Sequence, residues 1–178
     1  RIANRTVKTL DNGQIEFSTY YSQKELWHPI YQVLEQRSDD YGVNVRYVNE
    51  SPLAGHRNRF IVGMESHFGE MDDDRFVNQN GHARKRTADF DQEVSTYSLY
   101  GENHFYLLPE LALVAGVQAT HTTRNQDDLL KASGTDLTRE KSYQRVSPKL
   151  GMIYDATPDI QFFSNMSNSF EPPSFSEL

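Results

Sequence analysis

The feature that most limits what this chain can fold into is a recurrent two-residue alternation, in which one parity is apolar and bracketed by aromatic residues. In 143–154, YQRVSPKLGMIY, one parity carries Val146, Leu150, Met152 and Tyr154, and the other Arg145, Ser147, Lys149 and Gly151. In 59–68, Phe60, Val62, Met64 and Phe68 oppose Arg59, Gly63, Glu65 and His67; in 41–49, Tyr41, Val43, Val45 and Tyr47 oppose Gly42, Asn44 and Arg46. Successive side chains of a β-strand point to opposite faces, so each run reads as a strand with one greasy and one wet face. The runs 94–107, 111–121 and 160–170 repeat the pattern, 15–21 is a shorter version, and 1–9 offers one further, poorly patterned strand. The expected fold class is all-β, an antiparallel up-and-down meander of seven or eight strands.

The connections alternate in length. DNG (11–13), LPE (108–110) and DATPD (155–159) are short, NESPLAGHR (49–57) is somewhat longer, and polar stretches near 23–40, 69–92 and 123–142 read as long loops, with another beginning at Glu171. Asp-Asn-Gly tolerates positive φ, and Pro109 and Pro158 fix turn geometry. Short turns at one end and long loops at the other is the construction of an outer-membrane barrel.

A soluble β-sandwich alternates in the same way, so the aromatic positions carry the argument. On the apolar parity Tyr41 is matched by Tyr47, Phe60 by Phe68, Tyr97 by Phe105, and Phe162 by Phe170, three of the spacings being eight residues. Eight residues at about 3.3 Å each, tilted by roughly 40°, cover about 20 Å of membrane depth, close to an apolar band between two aromatic girdles. Tyr143 is the exception, lying on the polar parity.

Composition agrees. The chain has 178 residues, 37% of them hydrophobic, and no stretch near the roughly 20 apolar residues of a helical span. The mean hydropathy of −0.72 does not exclude a barrel, whose strands are apolar only at alternate positions. The absence of cysteine excludes disulfides and thiolate metal sites, and a net charge of −7 argues against nucleic-acid binding. The chain begins at Arg1 without a signal-like segment and is expected to start and stop within a longer protein.

The run RVSPKLGMIYDATPDIQFFSNMSNSFEPPSFSEL strongly resembles the barrel of TonB-dependent outer-membrane receptors, siderophore-receptor type. The matching residues are Ser147, Pro148, Lys149, Gly151 and Tyr154, then Thr157, Pro158 and Asp159, then Ser167, Ser169, Phe170, Pro172, Pro173, Glu177 and Leu178. Residues 95–118 and 51–66 resemble an adjacent hairpin and an earlier periplasmic turn and strand. The resemblance implies a barrel of about twenty-two strands around an N-terminal plug, of which 1–178 is an interior piece with the plug domain absent. It implies the bacterial outer membrane, uptake of a ferric siderophore or similar metal chelate, and energy from the TonB-ExbB-ExbD complex through the missing N-terminal part. Outer-membrane lipid and lipopolysaccharide are the other expected partners. The competing readings are a passive porin-like barrel and a soluble β-sandwich binding module.

Nothing resembles an active site. The six histidines lack metal-ligand spacing, and GEMDDDRF lacks the spacing of a calcium loop, so the expectation is no enzyme, no catalytic residue, no metal site and no cofactor. Two external loops are candidates for substrate contact. ELWHPIYQ concentrates Trp27, His28 and Tyr31, and HARKRTADF brings Arg84, Lys85 and Arg86 where an anionic chelate would be attracted. The plainer alternatives are rim packing for Trp27 and Tyr31, and pairing of the basic triplet with Asp72–Asp74 or lipopolysaccharide.

Overall fold

The computed structural model describes residues 1–131 and 134–175. Glu177 and Leu178 of the terminal motif lie outside the described residues. Eight strands form one antiparallel sheet in sequence order: β1 (Ile2–Leu10), β2 (Gly13–Pro29), β3 (Gln32–Asn49), β4 (Asn58–Gln79), β5 (His82–Leu108), β6 (Leu111–Asp128), β7 (Arg139–Thr157) and β8 (Ile160–Ser167). No helix among the described residues is long and apolar enough to cross a membrane.

The short turns stand where the sequence places them, at one end of the sheet. The other end differs. The stretches 23–40 and 69–92, expected as long loops, are continuations of the strands, closed by residues 30–31 and by Asn80–Gly81. At this end only the connection between β6 and β7 is a loop of several residues, and the two strands extend into the expected 123–142 loop, β6 to Asp128 and β7 from Arg139. The physical reason is that these extensions stand in water on both faces, so the greasy–wet alternation that marks a strand vanishes while the ladder continues. Asn80 and Gly81 both have positive φ, 53° and 83°, the requirement of a tight two-residue hairpin turn.

The register holds the apolar parity together across strands. Phe17 faces Val45, Val45 faces Met64, Met64 faces Leu99, Leu99 faces Ala119, and Ala119 faces Val146. This face is uncovered: Leu99, Val117 and Leu150 are 59%, 50% and 58% exposed, although a sandwich would bury all three. Apart from Val33 and Asn58, the buried side chains, including Val48, Ile61, Ala112 and Val114, belong to the polar parity. A one-layer sheet that buries only one face must curl towards it, so the polar parity is concave and the apolar parity convex.

The aromatic bracket survives in three of its four pairs. On the convex face Tyr41 stacks on Phe68 at 5.0 Å, and Phe68 meets Tyr97 edge-on at 5.6 Å, forming one girdle across β3–β5. Phe170 departs from expectation. β8 ends at Ser167, the chain turns inward with the Asn168 amide donating to the Pro148 carbonyl, and Phe170 packs against Tyr143 at 6.4 Å. Tyr143 therefore sits on the polar parity because its ring has a partner there.

Candidate functional site

The concave face is a lattice of polar side chains, and the strand alternation alone dictates its membership. Arg5 donates two hydrogen bonds to Glu16 at 2.8 Å each. Asn44 donates to Glu65 at 2.7 Å. Glu102 accepts from Lys149 at 2.7 Å and pairs with His104 at 2.6 Å. Thr96 bonds Thr122, and Ser98 bonds Thr120, each at 3.1 Å. A face this polar stays in the wall only if water or partners satisfy it. Glu16, Asn44, Arg46, Glu65, Tyr100 and Glu102 line one shallow hollow of it.

Two tyrosines reach sideways over glycines to tie this face together. Tyr20 lies over Gly42 and hydrogen-bonds His67 Nδ1 on the strand beyond, and His67 Nε2 is 3.8 Å from Asp40. Tyr100 covers Gly63 in the same way. Alternation places Gly42, Gly63 and His67 on the polar parity, but only the register shows that tyrosines on neighbouring strands fill the space over Gly42 and Gly63.

Above the girdle the two faces separate by charge. Asp72, Asp91 and Asp127 stand directly beside one another on β4, β5 and β6, on the convex parity. Burial pushes the Asp91 carboxyl above its ordinary range, and the negative charges of Asp72, Glu93, Asp127 and Asp89 push it further. Asp89 is also raised, mainly by burial, with Arg86 opposing. In the β6–β7 loop Asp136 is held down at about 2, principally by its hydrogen bond from Lys131, with Thr138 adding to it.

The six candidate contact residues lie on strand ends and a turn rather than on long loops. Trp27 and His28 are in the last turn-proximal residues of β2, Tyr31 is in the β2–β3 turn, and Arg84, Lys85 and Arg86 are in the first residues of β5. Trp27 shares the convex parity of Tyr21, whereas His28 is on the concave parity. Tyr31 projects at the tip, 84% exposed. Arg86 is tied to Asp74 and, at 2.5 Å, to Asp89, while Arg84 and Lys85 are exposed. The two hairpins touch where Asn78 donates to the Ile30 carbonyl. Among the described residues no group of acidic, histidine or cysteine side chains could hold a metal ion.

Comparison with known proteins places this geometry. The sequence matches the family "TonB dependent receptor-like, beta-barrel" over residues 3–178. No curated protein matches it. Among solved structures, the unliganded ferric citrate transporter FecA superposes with a TM-score of 0.81 at 13% identity, covering 98% of this chain and 27% of that one. The ferric-catecholate import receptor Fiu of E. coli K12 gives 0.73 at 12%, covering 92% and 34%. The ferric yersiniabactin uptake receptor FyuA of Yersinia pestis gives 0.61 at 12%, covering 89% and 26%. The chain thus spans about a quarter to a third of the length of these receptors, and identities this low compare the folds alone. The family match over nearly the whole chain agrees with a convex apolar band, a concave polar wall and strands in sequence order: this chain belongs to the β-barrel of the TonB-dependent receptors, proteins of the bacterial outer membrane.

Proposed function

We propose that the full-length protein imports a ferric siderophore or similar metal chelate across the outer membrane, with energy supplied by TonB. This chain contributes part of the barrel wall and its outer extensions. The remaining strands and an interior plug, through which the TonB-ExbB-ExbD complex would act, belong to the rest of the protein. The observation that carries the reading is the concave face, a charged and hydroxyl-rich wall turned away from the uncovered apolar band and suited to a hydrated interior.

In this reading Trp27, His28, Tyr31, Arg84, Lys85 and Arg86 form the outer rim that cargo meets first. Arg86 contributes by holding the β4–β5 extension to Asp74 and Asp89, and the exposed Arg84 and Lys85 add positive charge. The convex parity above the girdle faces lipopolysaccharide. Deleting the full-length gene, then measuring iron-55 uptake with and without TonB, tests the assignment. Uptake lost in both the gene deletion and the TonB deletion is the expected result. Uptake lost with the gene but retained without TonB would instead make the protein a passive porin.

A further inference from the structure

We propose that the concave wall of β6 and β7 above the girdle binds an anionic iron chelate through Arg124, Lys141 and Arg145, beside the rings of Tyr143, Phe170 and Phe175. The proposal rests on the uptake reading and narrows it to one cargo charge. The strand register sets Arg124 directly opposite Lys141, and Arg145 lies two positions further along the same face of β7. Like charges directly opposite one another on a sheet repel, and a nearby carboxylate normally compensates. Here none does. On the adjoining strands their neighbours on that face are uncharged: Thr120, Thr122 and Gln126 on β6, and Val94, Thr96 and Ser98 on β5.

The acids at either end of this stretch are already engaged. Glu102 holds Lys149 and His104, and Asp128 accepts the backbone amides of Lys131 and Leu137. Among the described residues no carboxylate lies within 4.0 Å of Arg124, Lys141 or Arg145. The Nε of Arg124 is buried without an acceptor, and an unpaired buried donor is destabilising. The fold thus keeps a cationic surface uncompensated, at a stability cost that an incoming anion would relieve.

The inward turn after β8 completes the surface. Phe170 lies 6.4 Å from Tyr143, and the Arg124 guanidinium sits 5.3 Å from the Phe175 ring centroid. Rings beside the cations exclude water and strengthen attraction to an anion. On the other face Asp72, Asp91 and Asp127 repel the same ligand, so the field of the extension favours its concave side.

The test uses the full-length receptor as the sole iron importer of a host strain. The probes are ferric citrate and the tris-catecholate ferric enterobactin as anions, ferrichrome as a neutral chelate and ferrioxamine B as a cation. At least one anionic chelate is expected to enter, and neither of the others. Arg124→Gln with Lys141→Gln is expected to raise the half-saturating concentration of that chelate by about tenfold, equivalent to about 1.4 kcal/mol. Arg37→Gln, on the convex face, leaves it unchanged. If the double variant is poorly displayed at the cell surface, the exposed Lys141→Gln and Arg145→Gln are measured singly. Entry of ferrichrome or ferrioxamine B, or unchanged uptake in well-displayed variants, overturns the anionic assignment while leaving import intact. Entry of no chelate at all overturns both.

Discussion

The ring of Tyr20 on β2 lies over Gly42 on β3, so that a methyl group at residue 42 would stand 2.9 Å from the ring's Cζ and nearer still to Cε1. The glycine is what allows a tyrosine to cross one strand and hydrogen-bond His67 on the next. Gly42→Ala is therefore expected to displace the ring and destabilise the barrel by about 1–3 kcal/mol, the range for overpacking. Urea unfolding of the full-length receptor in lipid vesicles measures this. The Tyr20→Ala background should absorb most of the penalty, and an undiminished penalty there would dissociate the two residues.

Val117 and Gln118 are adjacent in β6 but occupy opposite parities. Val117→Arg puts a charge on the convex apolar band at an expected cost of about 2–4 kcal/mol, whereas Gln118→Arg on the wet face is mild. Folding yields into vesicles should separate the two variants clearly.

Glu102 joins β5 to β7 through Lys149 and also holds His104. Lys149→Met leaves the partly buried carboxylate with one partner fewer and is expected to cost about 1–3 kcal/mol. Adding Glu102→Gln should recover part of that loss, because the unpaired charge is gone; the same unfolding assay compares single and double variants.

Asp136 titrates at about 2, below the ordinary 3.8. A depressed carboxyl stabilises the folded loop fully above its unfolded value, and the contribution disappears as pH falls from near 4 through about 2. Relative to the intrinsic rate at each pH, amide exchange in the β6–β7 loop is expected to accelerate across that window, and Asp136→Asn should remove the pH step.

Asp91 carries the opposite sign. Its raised value means that ionisation opposes the folded extension, so stability there rises as pH falls through the raised pKa. Asp91→Asn is expected to stabilise the β4–β6 extension near neutral pH by about 0.2–1 kcal/mol, the scale of a directly opposed like-charge pair. Slower amide exchange in β5 near Asp91 is the readout.

Where hydrocarbon touches one face, the strands and their orientation were legible. Val45, Met64, Leu99 and Val146 could be assigned from alternation alone, and the register bears each of them out. Above the girdle, water wets both faces and the alternation carries no signal, so it does not mark the outer parts of β2–β7. The Asn80–Gly81 pair was the local clue that a tight hairpin, not a long loop, closes β4 and β5. Phe170 misled because eight-residue spacing from Phe162 does not reveal that the ladder stops at Ser167; its partner Tyr143, out of place on the polar parity, was the available signal. Residue type and position nominate the candidate contact residues, but sorting them between faces requires register: Trp27 convex, His28 concave. The opposition of Arg124 and Lys141 needed it too.

The orientation of the apolar parity is tested most directly by bimane fluorescence from single cysteines at Leu99 and Ser98, neighbours on opposite faces of β5, where this chain supplies no background thiol. In the full-length receptor reconstituted with nitroxide-labelled lipids, the probe at residue 99 should be strongly quenched and the probe at residue 98 spared. Equal quenching at both residues, or none at 99, would contradict a convex face in contact with lipid.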